Sequence, residues 1–400
     1  MTTFVSVFSG AGGLDIGLQR AGWDCLYATD FDKHAVETLK LNAVAGRFNG
    51  GGHIRQADIR DLTGSEILSD VGRSRGGVDL LAGGPPCQSW SSAGHQLGFN
   101  DPRGRLFEDY LRVAQQLDVR WLLFENVRGL ITAKGSDGLP GSALAAIRQA
   151  LFKAGWQTRV ELLNAADYGA PQRRVRVVLL GYRQGDEPAL PTPTYSERVE
   201  DGRNPWVSMA DALNRLRAPD VDEIIRPSGK LAVELATIPP GSGVKSPGKR
   251  ETTRPGGHWG YKQGAFVADL QRPARTVTAN AQQDWIRDPV HGLRRLSPRE
   301  CAALQTFPTD WIFSGKRVDQ YRQIGNAVPP LLAEQVGMTL RAHVTGAPAS
   351  KVRGSVDIAP LPARLQAAID YTTREHRRNG ASRLAAPSLR HTGERQVRAG

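Results

Sequence analysis

A thiol and a carboxyl stand at the ends of two neighbouring predicted strands, where they could carry out nucleophilic chemistry. Cys87 follows an apolar run that begins at Val78 and is ended by the turn Gly-Gly-Pro-Pro. Glu125 lies near the end of the next apolar run, WLLFEN. A thiolate can add to an electron-poor carbon, and a buried carboxyl can give or take the proton that the addition requires. On position alone, Cys87 is equally consistent with a small buried hydrophobic residue, the common fate of a free cysteine.

The elements that would position these residues are repeated strand–turn–helix units. Residues 4–8 predict a strand, which is followed by the glycine turn Ser9 to Gly13 and a helix. The next two strands end at Asp30 and at Asp58-Ile59. Ligands bind at the carboxyl edge of such sheets, so we expect an α/β fold whose polar strand ends share one site. Asp15 stands where the dinucleotide fingerprint GxGxxG needs its third glycine, which disfavours a nicotinamide-dependent dehydrogenase.

Two further strands are predicted at 158–163 and 175–182. About a dozen residues without a helix separate them, which favours antiparallel pairing at the edge of the sheet. Arg173, Arg174 and Arg176 border this hairpin. Clustered charge of this kind is as often a solvated turn as part of a site, and the pattern alone leaves both interpretations open.

Differences in composition and periodicity divide the chain into four parts. Residues 1–183 carry the strand–helix pattern and are expected to form the catalytic and cofactor-binding domain. Residues 184–292 are rich in Pro, Gly, Arg and isolated aromatic residues, which suits either nucleic-acid contacts or a small irregular core. Regular structure returns over 293–345, where Ser297 to Glu300 form a capping box with proline at the first helical position. Residues 346–400 are expected to form a basic, poorly ordered tail.

Composition narrows the class of protein. The formal net charge is +12, which points to a polyanionic partner. From Arg341 onward, eleven basic residues stand against four acidic ones, a net +7 that places over half of the excess charge in the last sixty residues. The three cysteines show no CxxC spacing, so neither a disulfide set nor a metal site is expected. No secretion signal and no run of eighteen apolar residues is found, which favours the cytoplasm.

Within a match that spans residue 4 to about residue 340, nine motifs follow one another in order: FSGAGG, the acid Asp30, Asp58-Ile59, GGPPCQSWS, DPRGRLF, FENVRGL, YGAPQRRVRV, RRLSPRECAALQTFP and QIGNAVPP. Each motif alone is weak or moderate, whereas their order and spacing together are very specific. Together they make the chain resemble the DNA (cytosine-5)-methyltransferase family of the bacterial restriction-modification type.

The resemblance implies a fold and a cofactor. The fold is a class I S-adenosylmethionine-dependent methyltransferase sheet, Rossmann-like, with a loop-rich target recognition domain inserted at 184–292. Family members often have Glu and Trp where this chain has Asp30, expected on the ribose, and Phe31, expected on the adenine. The cofactor-binding residues that the resemblance implies are Phe8, Gly10, Gly12, Leu14, Asp30, Phe31, Asp58, Ile59, Pro85, Leu106, Asn326 and Val328.

The resemblance also implies a mechanism. Cys87 would add as a thiolate to carbon 6 of a flipped-out cytosine, which makes carbon 5 nucleophilic. Glu125 would stabilise ring nitrogen 3, while Arg176, with Arg174 behind it, would hold the carbonyl oxygen of the base. No side chain is an obvious base for the carbon-5 proton, and water is a reasonable candidate.

DNA contacts are expected from the loop after Cys87 and from the recognition domain. The candidate DNA-binding residues are Gln88, Ser89, Arg103, Arg275, Thr276 and Thr278. The partner is expected to be double-stranded DNA in the bacterial cytoplasm or nucleoid, and the protein a monomer. A cognate restriction endonuclease that acts on the same sequence is a further expected partner.

Two rival functions share this fold: a transfer-RNA cytosine-5 methyltransferase and a catalytically silent DNA-binding relative. The long basic insertion favours DNA, because reading several base pairs needs such a surface. Cys87, Glu125 and Arg176 together argue against a silent protein. The tail is expected to act as a non-specific electrostatic arm on DNA, whose removal weakens binding at low salt without changing the sequence that is methylated.

Overall fold

The computed structural model describes residues 1–50, 52–86, 106–183, 186–198, 202–249, 263–346 and 357–385, with side chains described through residue 378. Within these residues, no helix combines the length and the apolar character needed to cross a membrane.

The central sheet is built from seven strands: β1 (Thr3–Val7), β2 (Asp24–Asp30), β3 (Ile54–Gln56), β4 (Leu80–Gly83), β5 (Trp121–Val127), β6 (Gln157–Asn164) and β7 (Val175–Tyr182). Their spatial order is β3-β2-β1-β4-β5-β7-β6. The first five strands run parallel, and β7 is antiparallel to both β5 and β6. The predicted α/β fold and the predicted antiparallel hairpin are therefore confirmed.

Helices cover both faces of this sheet. On one face α1 packs against α10, and on the other α3, α4 and α5 join a second apolar core. Ser297 caps α8 through the predicted capping box with Glu300. The helices are α1 (Gly13–Arg20), α2 (Lys33–Val44), α3 (Gly64–Asp70), α4 (Leu106–Leu117), α5 (Ser142–Lys153), α6 (Met209–Leu213), α7 (Gly229–Thr237), α8 (Pro298–Leu304), α9 (Arg317–Asn326), α10 (Pro330–Gly346) and α11 (Ala363–Ala385).

The segment predicted to be a recognition domain has little regular structure. Two strands, β8 (Tyr195–Ser196) and β9 (Asn204–Pro205), pair with each other. Four more, β10 (Ser242–Gly243), β11 (Phe266–Val267), β12 (Trp285–Asp288) and β13 (Gly292–Arg295), form a small sheet. Its core holds Leu235, Ile238, Val267 and Trp285. The boundaries 1–183, 184–292 and 293–345 remain a prediction.

The prediction of a poorly ordered tail is wrong for residues 357–385. The long helix α11 packs on the body of the protein through Leu365, which is fully buried in the same core as α4 and α5. Arg364 also donates to Glu161 at 3.0 Å and to the carbonyl of Leu162 at 2.9 Å. Composition misled the prediction because a single apolar stripe in an Ala- and Arg-rich stretch is enough to dock a helix.

Candidate active site

A cavity of about 530 Å³ opens at the carboxyl edge of the central sheet. Its volume lies in the range of small-molecule and cofactor sites. Residues at or just after the ends of the five parallel strands β1 to β5 meet here with residues of α9 and of the segment that joins it to α10. The residues of the wall that the sequence singled out are Phe8, Gly10, Leu14, Asp30, Phe31, Asp58, Ile59, Pro85, Leu106, Glu125, Arg174, Arg176, Asn326 and Val328.

Gly12 is the exception among the predicted cofactor-binding residues, because it does not line the cavity. Its φ is 84°, and a Cβ added there would lie 2.7 Å from Leu39 Cδ2, in the core behind the turn. The neighbouring Gly13 is on the wall instead, where an added Cβ would meet the carbonyl oxygen of Val328 at 2.3 Å. The two glycines therefore let the first turn of α1 fit between the core and the cavity.

Asp30 joins the glycine turn to the end of β2. Its Oδ2 accepts a hydrogen bond from the backbone N–H of Gly10 at 2.8 Å, and its Oδ1 accepts one from the N–H of Asp32 at 2.8 Å. Burial raises the pKa of this carboxyl. The adjacent Phe31 is 69% exposed on the cavity wall, so its ring has an open face available for stacking.

Two arginines on the cavity wall were not singled out by the sequence. Arg60 donates to both carboxylate oxygens of Asp58, and the pKa of Asp58 is lowered chiefly by this side-chain hydrogen bonding. Arg322 donates to Asp32 at 2.8 Å. Asp58 therefore reaches the cavity as half of an ion pair rather than as a free acceptor. The sequence places Asp58 and Arg60 two residues apart, and this spacing could have predicted an ion pair between them.

Asp15, the residue that breaks the dinucleotide fingerprint, is fully buried beneath the glycine turn. Its Oδ1 accepts a hydrogen bond from Ser6 Oγ at 2.5 Å, and Ser6 Oγ accepts one from Ser9 Oγ at 2.8 Å. Its Oδ2 makes no hydrogen bond to any described residue. Burial, with a smaller contribution from the charge of Asp30, raises the pKa of Asp15 to about 7.

We expect Asp15 to make the stability of the protein fall as the pH rises. Its folded-state pKa of about 7 lies above the ordinary 3.8, so its stabilising contribution is complete below 3.8 and is lost as the pH rises to 7. Between pH 5 and pH 8 the free energy of unfolding should drop by about 2–3 kcal/mol more in the native chain than in Asp15→Asn. Urea unfolding at both pH values measures this difference, and parallel pH profiles would contradict the prediction.

Glu125 and Arg176 form an ion pair at the inner end of the cavity. Arg176 Nε lies 2.9 Å from Glu125 Oε1, and both side chains are 11% exposed. They face each other because β5 and β7 are antiparallel neighbours whose register pairs Val127 with Arg176. Burial raises the pKa of Glu125, and the adjacent Arg176 opposes that rise. The pair can therefore hold a proton at a carboxyl oxygen beside a fixed cationic donor.

The strand end that leads to Cys87 is fixed against this pair. Asn126 Nδ2 donates to the carbonyl oxygen of Pro85 at 2.9 Å. A Cβ added to Gly84 would lie 3.0 Å from Glu125 Oε2, so any larger residue there would press on the carboxyl. Cys87 itself lies outside the described residues, as do Gln88, Ser89 and Arg103. Asn126 is the last residue of the run WLLFEN, and the sequence did not predict this role for it.

Arg174 is fully buried and contacts backbone rather than Glu125. It donates to the carbonyl of Val277 at 2.9 Å and to that of Gly325 at 2.7 Å. A Cβ added to Gly325 would lie 2.2 Å from the carbonyl oxygen of Thr278. We call Arg174, Val277, Thr278 and Gly325 the junction, because they bind the recognition segment to the loop that carries Asn326 into the cavity wall.

The predicted DNA-binding residues of the recognition segment are engaged within the protein. Arg275 donates to Asp284 at 2.9 Å and its guanidinium lies 4.0 Å from the centre of the Phe266 ring. Thr276 Oγ1 donates to the carbonyl of Arg173 at 2.9 Å. Thr278 contributes its backbone to the junction. These contacts place the segment beside the cavity, and the part it plays toward DNA remains a prediction.

Two tryptophans expected to suit nucleic-acid contacts also have partners inside the protein. Trp285 is 3% exposed in the small core of the recognition segment, with the guanidinium of Arg295 4.4 Å from its ring centre. Trp206 Nε1 donates to Asp167 at 2.9 Å. For Trp285 the alternative of a small irregular core is the one that the structure supports. His258, Trp259 and Tyr261 lie outside the described residues.

Comparison with known proteins gives consistent matches. The family described as C-5 cytosine-specific DNA methylase matches residues 2–342. The chain is 31% identical over 343 residues to the Type II methyltransferase M1.HphI of Haemophilus parahaemolyticus, covering 84% of this chain and 85% of that protein. It is 33% identical over 348 residues to the Type II methyltransferase M.MthTI of Methanothermobacter thermautotrophicus, covering 85% and 97%.

Solved structures show the same fold. The structure of the S. pombe Dnmt2 methyltransferase superposes with a TM-score of 0.58, covering 85% of this chain and 98% of that one. The two sequences are only 17% identical, so this likeness concerns the fold alone.

Proposed function

The chain belongs to the C-5 cytosine-specific DNA methylase family and is a DNA (cytosine-5-)-methyltransferase, and we propose how its residues carry out methyl transfer. The observation that carries the proposal is the Glu125–Arg176 pair, which faces the cavity beside the strand end that leads to Cys87. The substrate is a cytosine within a short, specific sequence of duplex DNA.

The cavity fits S-adenosylmethionine as the methyl donor. Its wall offers the Asp30 carboxylate for the ribose hydroxyls, the exposed Phe31 ring for the adenine, and Ile59 with Pro85, Leu106 and Val328 for apolar contacts. A Cβ added to Gly10 would meet no atom within 4 Å, which leaves room for a ligand to approach the turn. When bound, S-adenosylmethionine supplies the methyl group that carbon 5 of the cytosine accepts.

The protein activates the base by covalent addition. The target cytosine leaves the stack and enters the cavity, at a cost of about a few kcal/mol. Cys87 adds as a thiolate to carbon 6, forming a carbon–sulfur bond, and the displaced ring electrons make carbon 5 nucleophilic. Glu125 gives a proton to nitrogen 3, and Arg176 holds the carbonyl oxygen of the base.

The protein then releases the product by elimination. After carbon 5 has been methylated, it loses its proton to water. The electrons of that carbon–hydrogen bond form the 5,6 double bond and expel the Cys87 thiolate, while nitrogen 3 returns its proton to Glu125. The cysteine is thereby regenerated, so no oxidant or reductant is needed.

The relatives' names suggest a biological setting. Because several relatives are named Type II methyltransferases, we infer that this chain works beside a cognate restriction endonuclease that acts on the same sequence. Methylation would then protect the DNA of the cell in which both proteins are made. We propose separately that the chain acts as a monomer.

Bisulfite sequencing tests the proposed function. Plasmid DNA from a host without cytosine methylation, expressing this chain, should contain protected cytosines confined to one short sequence. Plasmid from the same host with an empty vector is the control. Unprotected DNA from a folded, S-adenosylmethionine-binding protein would contradict the proposal, and methylation of transfer RNA by the same preparation would replace it with the tRNA activity.

A further inference from the structure

The helix α11 lies outside residues 2–342, yet it is fixed to the catalytic body along its first half. Leu365 is fully buried, and a Cβ added to Gly141 would lie 2.9 Å from Ile369 Cγ2. Before the helix begins, Gln157 Nε2 donates to the carbonyl of Asp357 at 3.2 Å. These contacts determine both the position and the direction of the helix.

The direction of α11 is toward the edge of the sheet where the cavity opens. Asp357 contacts the first residue of β6, Arg364 contacts Glu161 farther along that strand, and Ile369 reaches Gly141 at the start of α5. Strands β5 and β6 are parallel, because β7 runs antiparallel to both of them. The helix α5, which connects β5 to β6, must therefore begin at the carboxyl edge of the sheet. Gly141, just before α5, thus lies at the level of the carboxyl edge. The sixteen residues that follow Ile369, up to Ala385, would extend the helix by about 24 Å at 1.5 Å per residue.

The second half of α11 is basic on its outer face. Arg374, Arg377 and Arg378 are exposed, and none of them makes an ion pair or hydrogen bond to any described residue. Their spacing of three and four places them on one face, about half a turn from Leu365. We call these three arginines the basic ridge.

The face of α11 that carries Leu365 also indicates that the second half of the helix extends past the catalytic body. His376 lies eleven residues after Leu365, on the docked side, yet it is exposed, as expected where a helix runs past the body. Its Nδ1 lies 3.3 Å from Lys134 Nζ, which adds another cation beside the ridge. Uncompensated cations clustered beyond a cavity edge complement a polyanion.

We propose that the basic ridge binds the phosphates of duplex DNA flanking the target site, with α11 acting as a fixed extension of the catalytic body. This inference rests on the proposed function, because it takes duplex DNA as the substrate. It replaces the flexible arm expected from the sequence with a rigid one. Because contacts to phosphates carry no information about the base sequence, we expect the ridge to strengthen binding to every sequence equally.

Equilibrium binding of the full chain to duplex DNA at several salt concentrations tests the proposal. In Arg374→Gln/Arg377→Gln/Arg378→Gln, the slope of log Kd against log salt should be less steep by about 2–3, since each lost phosphate contact removes about 0.9. Glutamine keeps the helix propensity. Affinity at low salt should fall on the order of tenfold for target and unrelated duplexes alike, and the methylated sequence should stay the same.

Two further variants separate the ridge from net charge and from a flexible arm. Arg20→Gln/Lys40→Gln/Lys153→Gln removes three exposed cations from the C-terminal halves of α1, α2 and α5, toward the opposite edge of the sheet, and should leave the slope unchanged. Leu365→Ser keeps every charge but undocks the helix, so it should reproduce the loss seen in the ridge variant.

Three results would overturn the inference: an unchanged slope in the ridge variant, an equal loss in the amino-edge control, or native binding by Leu365→Ser. Binding is measured separately from methylation. A native chain that methylates no DNA would therefore contradict the proposed function, whereas the slope of log Kd against log salt would still test the basic ridge.

Discussion

A chain with Cys87→Ser is expected to bind duplex DNA and S-adenosylmethionine but to transfer methyl groups at least about 10⁴-fold more slowly than the native chain. A serine hydroxyl hardly ionises near neutral pH, so it cannot add to carbon 6 as the thiolate does. Single-turnover transfer of labelled methyl groups to a duplex that contains the target sequence measures the loss.

The other two cysteines provide a matched control. Cys25 and Cys301 are buried, and burial raises the pKa of both thiols well above its ordinary value, so neither is a thiolate near neutral pH. Cys301→Ala should therefore retain methyl transfer. A duplex with 5-fluorocytosine at the target should trap a covalent complex with the native chain and none with Cys87→Ser. Native activity in Cys87→Ser would refute covalent addition through this residue.

Glu125→Gln is expected to slow methyl transfer by about 10²–10⁴-fold, because the amide cannot give a proton to nitrogen 3. Burial raises the pKa of Glu125 and so favours the protonated carboxyl that this step needs. In the native chain, the single-turnover rate should fall as the pH rises through that pKa, since the proton is then lost. The glutamine variant should lack this limb of the profile.

The exposed Glu37 on α2 offers a control, since Glu37→Gln removes the same charge away from the cavity. It should leave both the rate and the pH profile unchanged. If Glu125→Gln lowered only the affinity for the duplex, with the bound complex reacting at the native rate, Glu125 would be a binding residue and not a proton donor.

The local pattern of the sequence predicted the sheet and most of the cavity, because parallel strands end at one edge. The ends of β2 and β5 brought Asp30 and Glu125 to the same wall without any knowledge of long-range contacts. The motif match did not show which glycine of the turn lines the cavity: Gly12 faces the core and Gly13 faces the cavity. Periodicity cannot resolve a difference of one residue in a glycine turn.

Long-range pairing was the part that the sequence could not give. Arg275 looked available for DNA, whereas Asp284 and the Phe266 ring hold its guanidinium. Arg174 was expected behind Arg176, and the sequence could not show that two backbone carbonyls from distant segments accept its hydrogen bonds. The same limit applies to α11, whose docking depends on the fit of Leu365 and Ile369 to a surface formed by other elements.

The junction bears on how this protein could acquire a new specificity through recombination. Gly325 admits the backbone of Thr278 only because it has no side chain, and Arg174 ties Val277 and Gly325 together. A replacement that ends after residue 279 would separate Thr278 from Gly325, whereas one that begins after Arg174 and ends before residue 272 would leave all four residues of the junction together. We therefore expect gene exchange to tolerate replacement of the segment between β7 and residue 272. Chimeras that take Thr278 and Gly325 from different parents should not be tolerated.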